Sequence, residues 1–147
     1  MLNLTTRTEH RTLLDAVTLK AADETPAIIY VSVEAEPITV TRAEFARSIM
    51  AYGAALRGMG IQPRDLVIIA HTQDLESVFA FWGAMLIGAI PSMFPTLTEK
   101  LDPEIYMANM TELVTLSDVR AVLTTDDFAP TLAAHVTCPV FGSQTLL

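Results

Sequence analysis

The sequence predicts an α/β domain of three layers, a mostly parallel sheet with helices on both faces. Two observations lead there. From Leu66 onward, short uninterrupted apolar runs alternate with helical patterns in the order strand, helix, strand, helix, strand, helix, strand. Strands without polar alternation are those covered on both faces, and parallel pairing through right-handed helical crossovers is what covers them. The second observation is composition: 51% of the 147 residues are hydrophobic. The mean hydropathy of +0.40 is high for a soluble domain. A chain of this length can enclose one real core. No internal repeat, low-complexity tract or interdomain linker divides it, so residues 1–147 read as a single α/β domain.

The elements follow in order. A first helix is expected from about His10 to Ala22, with Leu13, Leu14, Val17 and Ala21 on one face, ended by Asp23-Glu24-Thr25-Pro26. Ala27 to Val33 and Ile38 to Val40 read as a hairpin about the polar turn Glu34-Ala35-Glu36-Pro37, placed at an edge of the sheet. The helix after Thr41 is the best specified. Thr41 can accept the N–H of Glu44 while Glu44 reaches back to the N–H of Thr41. Phe45, Ile49, Tyr52 and Leu56 make its core stripe, and Arg42, Arg47 and Arg57 fall largely off it. Gly58 or Gly60 supplies the left-handed residue that closes it.

Pro63-Arg64-Asp65 then turns the chain into the strand Leu66 to Ala70. The further strands are Ala89 to Phe94, Ala121 to Thr124 and Pro139 to Phe141. The intervening helices are Leu75 to Ile87, Pro103 to Leu116 and Asp127 to Ala134. The first of these helices has almost no polar face: Val78, Phe79, Phe81, Trp82, Met85, Leu86 and Ile87 require burial on most sides. That is more cover than so short a chain readily supplies, which favours a larger parent protein or an oligomer.

Charge and cysteine content exclude several classes. The net charge is −8 with nine scattered Lys and Arg, so no basic cluster exists to neutralise phosphates, and neither nucleic acid nor an anionic membrane surface is an expected partner. The single cysteine, Cys138, rules out an internal disulfide framework and reads as a small apolar residue near a strand. Residues 1–14 mix Arg7, Glu9, His10 and Arg11 without a continuous apolar run, so no signal or transit peptide is read there. A cytoplasmic setting follows as the expectation. The uncharged stretch between Glu76 and Glu99 matches the roughly 20 residues of a membrane span. Gly83, Gly88, Pro91 and Pro95 interrupt it, so a buried helix followed by a strand is the better reading and no membrane span is expected.

Few residues suggest chemistry. His71 and Thr72 stand just past the carboxyl end of a strand, where open α/β sheets form ligand crevices, and Ser92, Phe94, Thr124 and Thr125 approach the same edge. The simpler reading is that His71, Thr72 and Asp74 start a helix. Asp126-Asp127 between strand and helix read as capping residues, and Asp102-Pro103-Glu104 as N-cap, first-turn proline and first-turn acid. No second His or Cys stands at zinc-ligand spacing. No Gly-x-Ser-x-Gly occurs, and Cys138 lacks a recognisable His partner.

Several blocks, in order, resemble one family. Thr41-Arg42-Ala43-Glu44-Phe45 is similar to a Thr-Tyr-x-Glu-Leu helix start. Leu56-Arg57-Gly58-Met59-Gly60-Ile61 is similar to a Leu-x-x-x-Gly-Val helix end, and Pro63-Arg64-Asp65-Leu66-Val67 to a Pro-Gly-Asp-x-Val lead-in. Glu76, Gly88-Ala89-Ile90-Pro91 and Ser117 to Thr124 complete the set. Together they resemble the N-terminal subdomain of the adenylate-forming (AMP-binding) enzymes: acyl-CoA synthetases, acyl-AMP ligases and adenylation domains. Arg42 replaces the usual Tyr. Arg64 replaces the usual Gly, which implies a turn without the positive-φ freedom of glycine.

The resemblance implies an incomplete N-terminal part of that family's large domain. It also implies a parent that activates a carboxylic acid with ATP, Mg and, in some members, coenzyme A. Pyrophosphate departure needs backbone N–H groups and cations about the phosphates. This chain has six glycines and no Gly-x-x-x-x-Gly-Lys or comparable loop, and Lys20 and Lys100 are its only lysines. No catalytic, cofactor-binding or metal-binding residue is therefore assigned. The expectation is a scaffold fragment, inactive alone, whose partner is the remainder of the ligase or a second copy covering the apolar helix. The alternative is a self-contained α/β small-molecule-binding or protein-interaction module with its site at His71, Ser92 and Thr124.

Overall fold

The structure is a computed structural model that describes residues 11–33, 35–72 and 74–147. The chain divides into two compact units, Met1–Arg47 and Ser48–Leu147.

In the first unit, α1 (Leu13–Thr18) is much shorter than the helix expected from His10 to Ala22; His10 itself lies outside the described residues. A capping box starts it: Asp15 N–H donates to Thr12 Oγ1 (3.2 Å) and Thr12 N–H to Asp15 Oδ2 (2.8 Å). These backbone donors, with Arg11 N–H, hold the Asp15 carboxyl below its usual range. At the far end Thr18 Oγ1 bonds back to Leu14 O, a contact that competes with helix continuation. Tighter i to i−3 bonds then follow at Ala21 and Asp23. No α1 residue is buried.

Strands β1 (Pro26–Tyr30) and β2 (Ile38–Thr41) pair antiparallel, with Tyr30 opposite Ile38. β1 stops at Tyr30 and not at Val33, because β2 begins at its partner Ile38, just after Pro37, which has no N–H to donate. The expected turn includes Glu34, which lies outside the described residues. Among the described residues the hairpin forms a two-stranded sheet of its own, so the expected place at an edge of the parallel sheet is not what the pairing gives.

Helix α2 (Arg42–Gly58) opens as its sequence requires. Thr41 N–H donates to Glu44 Oε2 (2.8 Å) and Glu44 N–H to Thr41 Oγ1 (3.1 Å). Two first-turn N–H groups, of Arg42 and Ala43, are taken by the carbonyls of Thr25 and Asp23. All four stripe residues, Phe45, Ile49, Tyr52 and Leu56, are buried. Of the two candidate glycines, Gly60 closes the helix, with φ +88 and Ile61 N–H bonded to Leu56 O.

The second unit holds a four-stranded, all-parallel sheet in the order β4-β3-β5-β6. Its strands are β3 (Leu66–Ile69), β4 (Ile90–Met93), β5 (Val119–Thr124) and β6 (Val140–Gly142). Its helices are α3 (Leu75–Leu86), α4 (Pro103–Leu116), α5 (Ala129–Ala133) and α6 (Ser143–Leu146), the last of which has no counterpart in the sequence reading. The chain moves from β3 to β4 in one direction, then past β3 to β5 and on to β6 in the other. With right-handed crossovers, that reversal sends α3 to one face and α4 and α5 to the opposite one.

Side chains agree. Ile68, Ala70 and Val122 form a buried cluster with Tyr106, Met107, Met110 and Val114 of α4 and Leu132 of α5. Val67, Ile69, Ala121 and Leu123 alternate to the other face and are also fully buried. On the α3 side, Gly83 admits the second half of α2 so closely that an added Cβ would lie 2.5 Å from Tyr52 Cβ and 3.0 Å from Ile49 O. Burial of α3 is incomplete, as its composition suggested. Phe79, Ala80, Gly83 and Ala84 are buried, whereas Leu75, Val78, Phe81, Trp82, Met85 and Leu86 are only half-buried. No helix of the described residues is long and apolar enough to cross a membrane.

The turn into β3 departs from expectation. Arg64 adopts φ +74, so the left-handed geometry is kept although glycine is not. The surrounding bonds dictate it: Arg64 N–H donates to Gly88 O (2.7 Å), Asp65 N–H to Gln62 O (3.1 Å) and Ile90 N–H to Asp65 O (2.8 Å). These fix the turn against β4 and leave Arg64 to bear a conformation unfavourable by about 1–2 kcal/mol for a residue with a Cβ.

Candidate functional site

β3 and β5 lie side by side but feed helices on opposite faces, so their carboxyl ends part and leave a crevice, the usual ligand position in an open α/β sheet. The crevice encloses about 300 Å³. His71, Asp74 and Glu76 line it after β3, Thr125, Asp126 and Asp127 after β5, and Ser143 and Gln144 at the start of α6.

Local chemistry explains most of these positions. Asp74 is the N-cap of α3 and accepts from Ser77 N–H at 2.9 Å, which bears out the helix-start reading of His71, Thr72 and Asp74. The same carboxylate takes the Thr72 hydroxyl (2.7 Å) and faces His71 Nδ1 at 3.1 Å. Nδ1 also lies 3.3 Å from Thr72 O, and the His71 ring is buried. Beneath it the fully buried Tyr52 hydroxyl donates to Glu76 Oε2. Burial, then the Glu76 carboxylate, pushes the Tyr52 phenol well above its ordinary value.

On the β5 side, Thr124 is a strap. Its hydroxyl donates to Ala70 O at 2.7 Å, and its carbonyl accepts from the buried Ser143 hydroxyl at 3.0 Å. Asp126 caps a helix, but not the one that follows it. It accepts from Gln144 N–H (2.9 Å) and Thr145 N–H (3.0 Å) at the start of α6, whereas α5 has Phe128 at its N-cap and no side-chain cap. The Thr145 bonds, with help from Gln144, hold the Asp126 carboxyl below its usual range. Gly142 makes this possible, because a Cβ there would overlap the Asp126 carboxylate. Asp127 is likewise held low, first by the Thr125 hydroxyl.

Of the sequence-predicted edge, His71 and Thr125 line the crevice and Thr124 stands behind it. Ser92 and Phe94 do not line it. Ser92 lies within β4 and Phe94 directly after it, on the far side of β3, where the Phe94 ring meets Tyr106 edge-on at a centroid distance of 5.7 Å. Sequence reasoning missed Tyr52, Glu76, Ser143 and Gln144. The bonds that bring them in span 18 to 24 residues, and Gly142 directly before Ser143 is the one local hint. Asp102 caps α4 as expected, accepting from Glu104 N–H (2.8 Å) and Ile105 N–H (3.2 Å), with Pro103 in the first turn. Cys138 is half-buried against the α4–α5 cluster, and that burial raises its thiol pKa, which suits an inert packing residue.

The crevice presents four carboxylates and no Lys or Arg, so a triphosphate or pyrophosphate entering it meets like charge without a cation. Among the described residues no group of three or more His, Cys, Asp or Glu is arranged to hold a metal ion. The Ser143 hydroxyl donates to Thr124 O.

No family model matches the sequence, and no curated protein does. Solved structures do match in fold. The fatty acyl-adenylate ligase from L. pneumophila, in complex with acyl adenylate and pyrophosphate, superposes with a TM-score of 0.79 over 95% of this chain and 24% of its own, at 22% identity. McyG A-PCP complexed with phenylalanyl-adenylate gives 0.77 over 92% of this chain and 26% of its own, at 16% identity. O-succinylbenzoate coenzyme A synthetase (MenE) from Bacillus subtilis, in complex with AMP, gives 0.70 over 90% and 31%, at 20% identity. The chain thus has the fold of part of an adenylate-forming ligase. It spans about a quarter to a third of the length of these three structures.

Proposed function

We propose that this chain is the N-terminal segment of an ATP-dependent carboxylic-acid-activating ligase of the acyl-CoA synthetase or acyl-AMP ligase type, and that its part in that enzyme is scaffolding. The observation that carries this is the near-complete superposition of this chain on roughly a quarter of a fatty acyl-adenylate ligase. The ordered sequence blocks from Thr41 to Thr124 support it independently. In this reading the phosphate-binding loop, the ligands of ATP and Mg and any coenzyme A site belong to the rest of the enzyme. The segment supplies the parallel sheet and at most one wall of an acyl pocket. The half-buried Phe81, Trp82 and Met85 side of α3 is covered by that remainder or by a second copy. A single, unpaired cysteine suits a reducing, cytoplasmic setting for fatty acid metabolism.

The test is ATP–pyrophosphate exchange with a panel of fatty acids. The chain alone is expected to give no exchange, and the product of the reading frame continued through a Ser/Thr/Gly-rich loop ending in Lys is expected to give acid-dependent exchange. Turnover by the 147-residue chain on its own overturns the scaffold reading.

A further inference from the structure

We propose that the groove between α4 and α5 docks a basic amphipathic helix of a partner protein. The groove has a volume of about 720 Å³ and lies on the helical layer opposite α3, away from the crevice. The inference is independent of the ligase reading. Leu97, Met107 and Ala108 give it an apolar floor. Its α4 rim carries Glu104 and Glu112, both exposed, eight residues and therefore about 12 Å apart along one ridge. Among the described residues the ion pairs are His71–Asp74 and Arg120–Asp65, so neither rim carboxylate has a cationic partner.

The two walls are held at a fixed separation. The Thr111 hydroxyl contacts both Met107 O in α4 (2.8 Å) and His135 O just after α5 (2.9 Å). A preformed groove loses little entropy on binding. An apolar floor beside a rim whose unpaired carboxylates stand two helical turns apart matches a helix with apolar residues at i, i+3/i+4 and i+7 and lysines on one flank. The chain's net charge of −8 steers a cationic partner toward it. A fatty acid is disfavoured, because its carboxylate would meet the same two acids.

The test titrates the isotope-labelled full chain with a synthetic peptide of about 14 residues, long enough for an amphipathic helix to form on binding. It carries leucines at helical spacing and lysines two turns apart on one flank; a scrambled peptide of the same composition is the control. Saturable amide shifts at Met107, Ala108, Thr111 and Thr131 are expected with the first peptide alone. E104Q/E112Q should weaken binding about fivefold to tenfold, the range of two partly exposed ion pairs. E104K/E112K should abolish it and transfer preference to a peptide bearing Glu in place of Lys. Both positions are solvent-exposed, so these variants fold, and their amide spectra verify it. Equal binding of the scrambled peptide, indifference to E104Q/E112Q, shifts confined to other surfaces, binding of dodecanoate but not the peptide, or a groove closed by a second copy would each overturn the proposal.

Discussion

Helices α3 and α4 are entered alike and buried differently. Each runs between parallel strands, and each is capped by an aspartate, Asp74 in one and Asp102 in the other. α4 buries one stripe, Tyr106, Met107, Met110 and Val114, and turns Glu104, Asn109, Glu112 and Thr115 to solvent. α3 has no such outer face: after Glu76 and Ser77 it is apolar all round, and none of its described residues is fully exposed. α4 therefore keeps a mixed outer face, with Ile105 and Leu116 exposed beside its polar residues, whereas α3 is built for cover on a second side. Their polar interiors differ in parallel. Beside α3, the Tyr52 hydroxyl is bonded to Glu76. Beneath α4, the buried Tyr106 hydroxyl has no partner among the described residues.

Substitutions should separate the two sides, beginning with the close crossing of α3 on α2. Gly83→Ala places a Cβ where Tyr52 and the Ile49 carbonyl already stand, and a loss of about 3 kcal/mol is expected from the overpacking. Asn109→Ala on the exposed face of α4 should stay within about 0.5 kcal/mol. Urea midpoints at constant m-value read both, and equal effects would erase the contrast.

The tyrosine pair comes next. Tyr52→Phe strands the Glu76 carboxylate and should lower stability by about 1–3 kcal/mol, while Tyr106→Phe removes an unsatisfied hydroxyl and should leave stability unchanged or raised by up to about 1 kcal/mol. Opposite signs in the same denaturation assay are the expected result.

Alkaline titration sharpens the same comparison. Burial and Glu76 raise the Tyr52 phenol, and burial pushes the Tyr106 phenol up to about 12. A folded-state pKa above the unfolded value of about 10 favours the fold fully below that pH and loses its contribution as pH rises beyond it. Stability should therefore fall from about pH 10 upward, through about 12 for Tyr106. Tyr106→Phe should remove its share of the slope, which thermal melts across that range would show.

The smallest effect concerns the chain segments that frame α3. It leaves through Gly88 at φ +81, whose carbonyl holds the turn residue Arg64 at φ +74. Arg64→Gly should relieve the left-handed strain and raise stability by about 1 kcal/mol or less, part of the gain being returned as unfolded-state entropy. A lower urea midpoint for that variant would mean that the Arg64 side chain contributes more than its backbone forfeits.

Legibility in the sequence followed the range of the interactions. The capping box at Thr41 and Glu44, the stripe from Phe45 to Leu56, the Asp102-Pro103 start of α4 and the apolar run of β3 are all set within one or two turns of chain. All appeared where the residues indicated. The errors came where distant bonds or missing packing decided. α1 stopped short, with no residue of it fully buried and Thr18 bonded back to Leu14 O. Arg64 took a glycine conformation because Gly88 O holds its N–H. Asp126 capped a helix 18 residues on, and Ser92 fell outside the crevice because β4 lies beyond β3.

From residue order alone came the α/β class, the polarity of each strand, the capped helix starts and the unusual apolarity of α3, since periodicity and capping act over a few residues. Only tertiary structure decided the strand order, and with it which loops meet at the crevice. Only tertiary structure joined Tyr52 to Glu76 and Asp126 to α6. The reason is physical: a parallel sheet is assembled from segments with no local contact, so its order depends on which helices can be buried on which face.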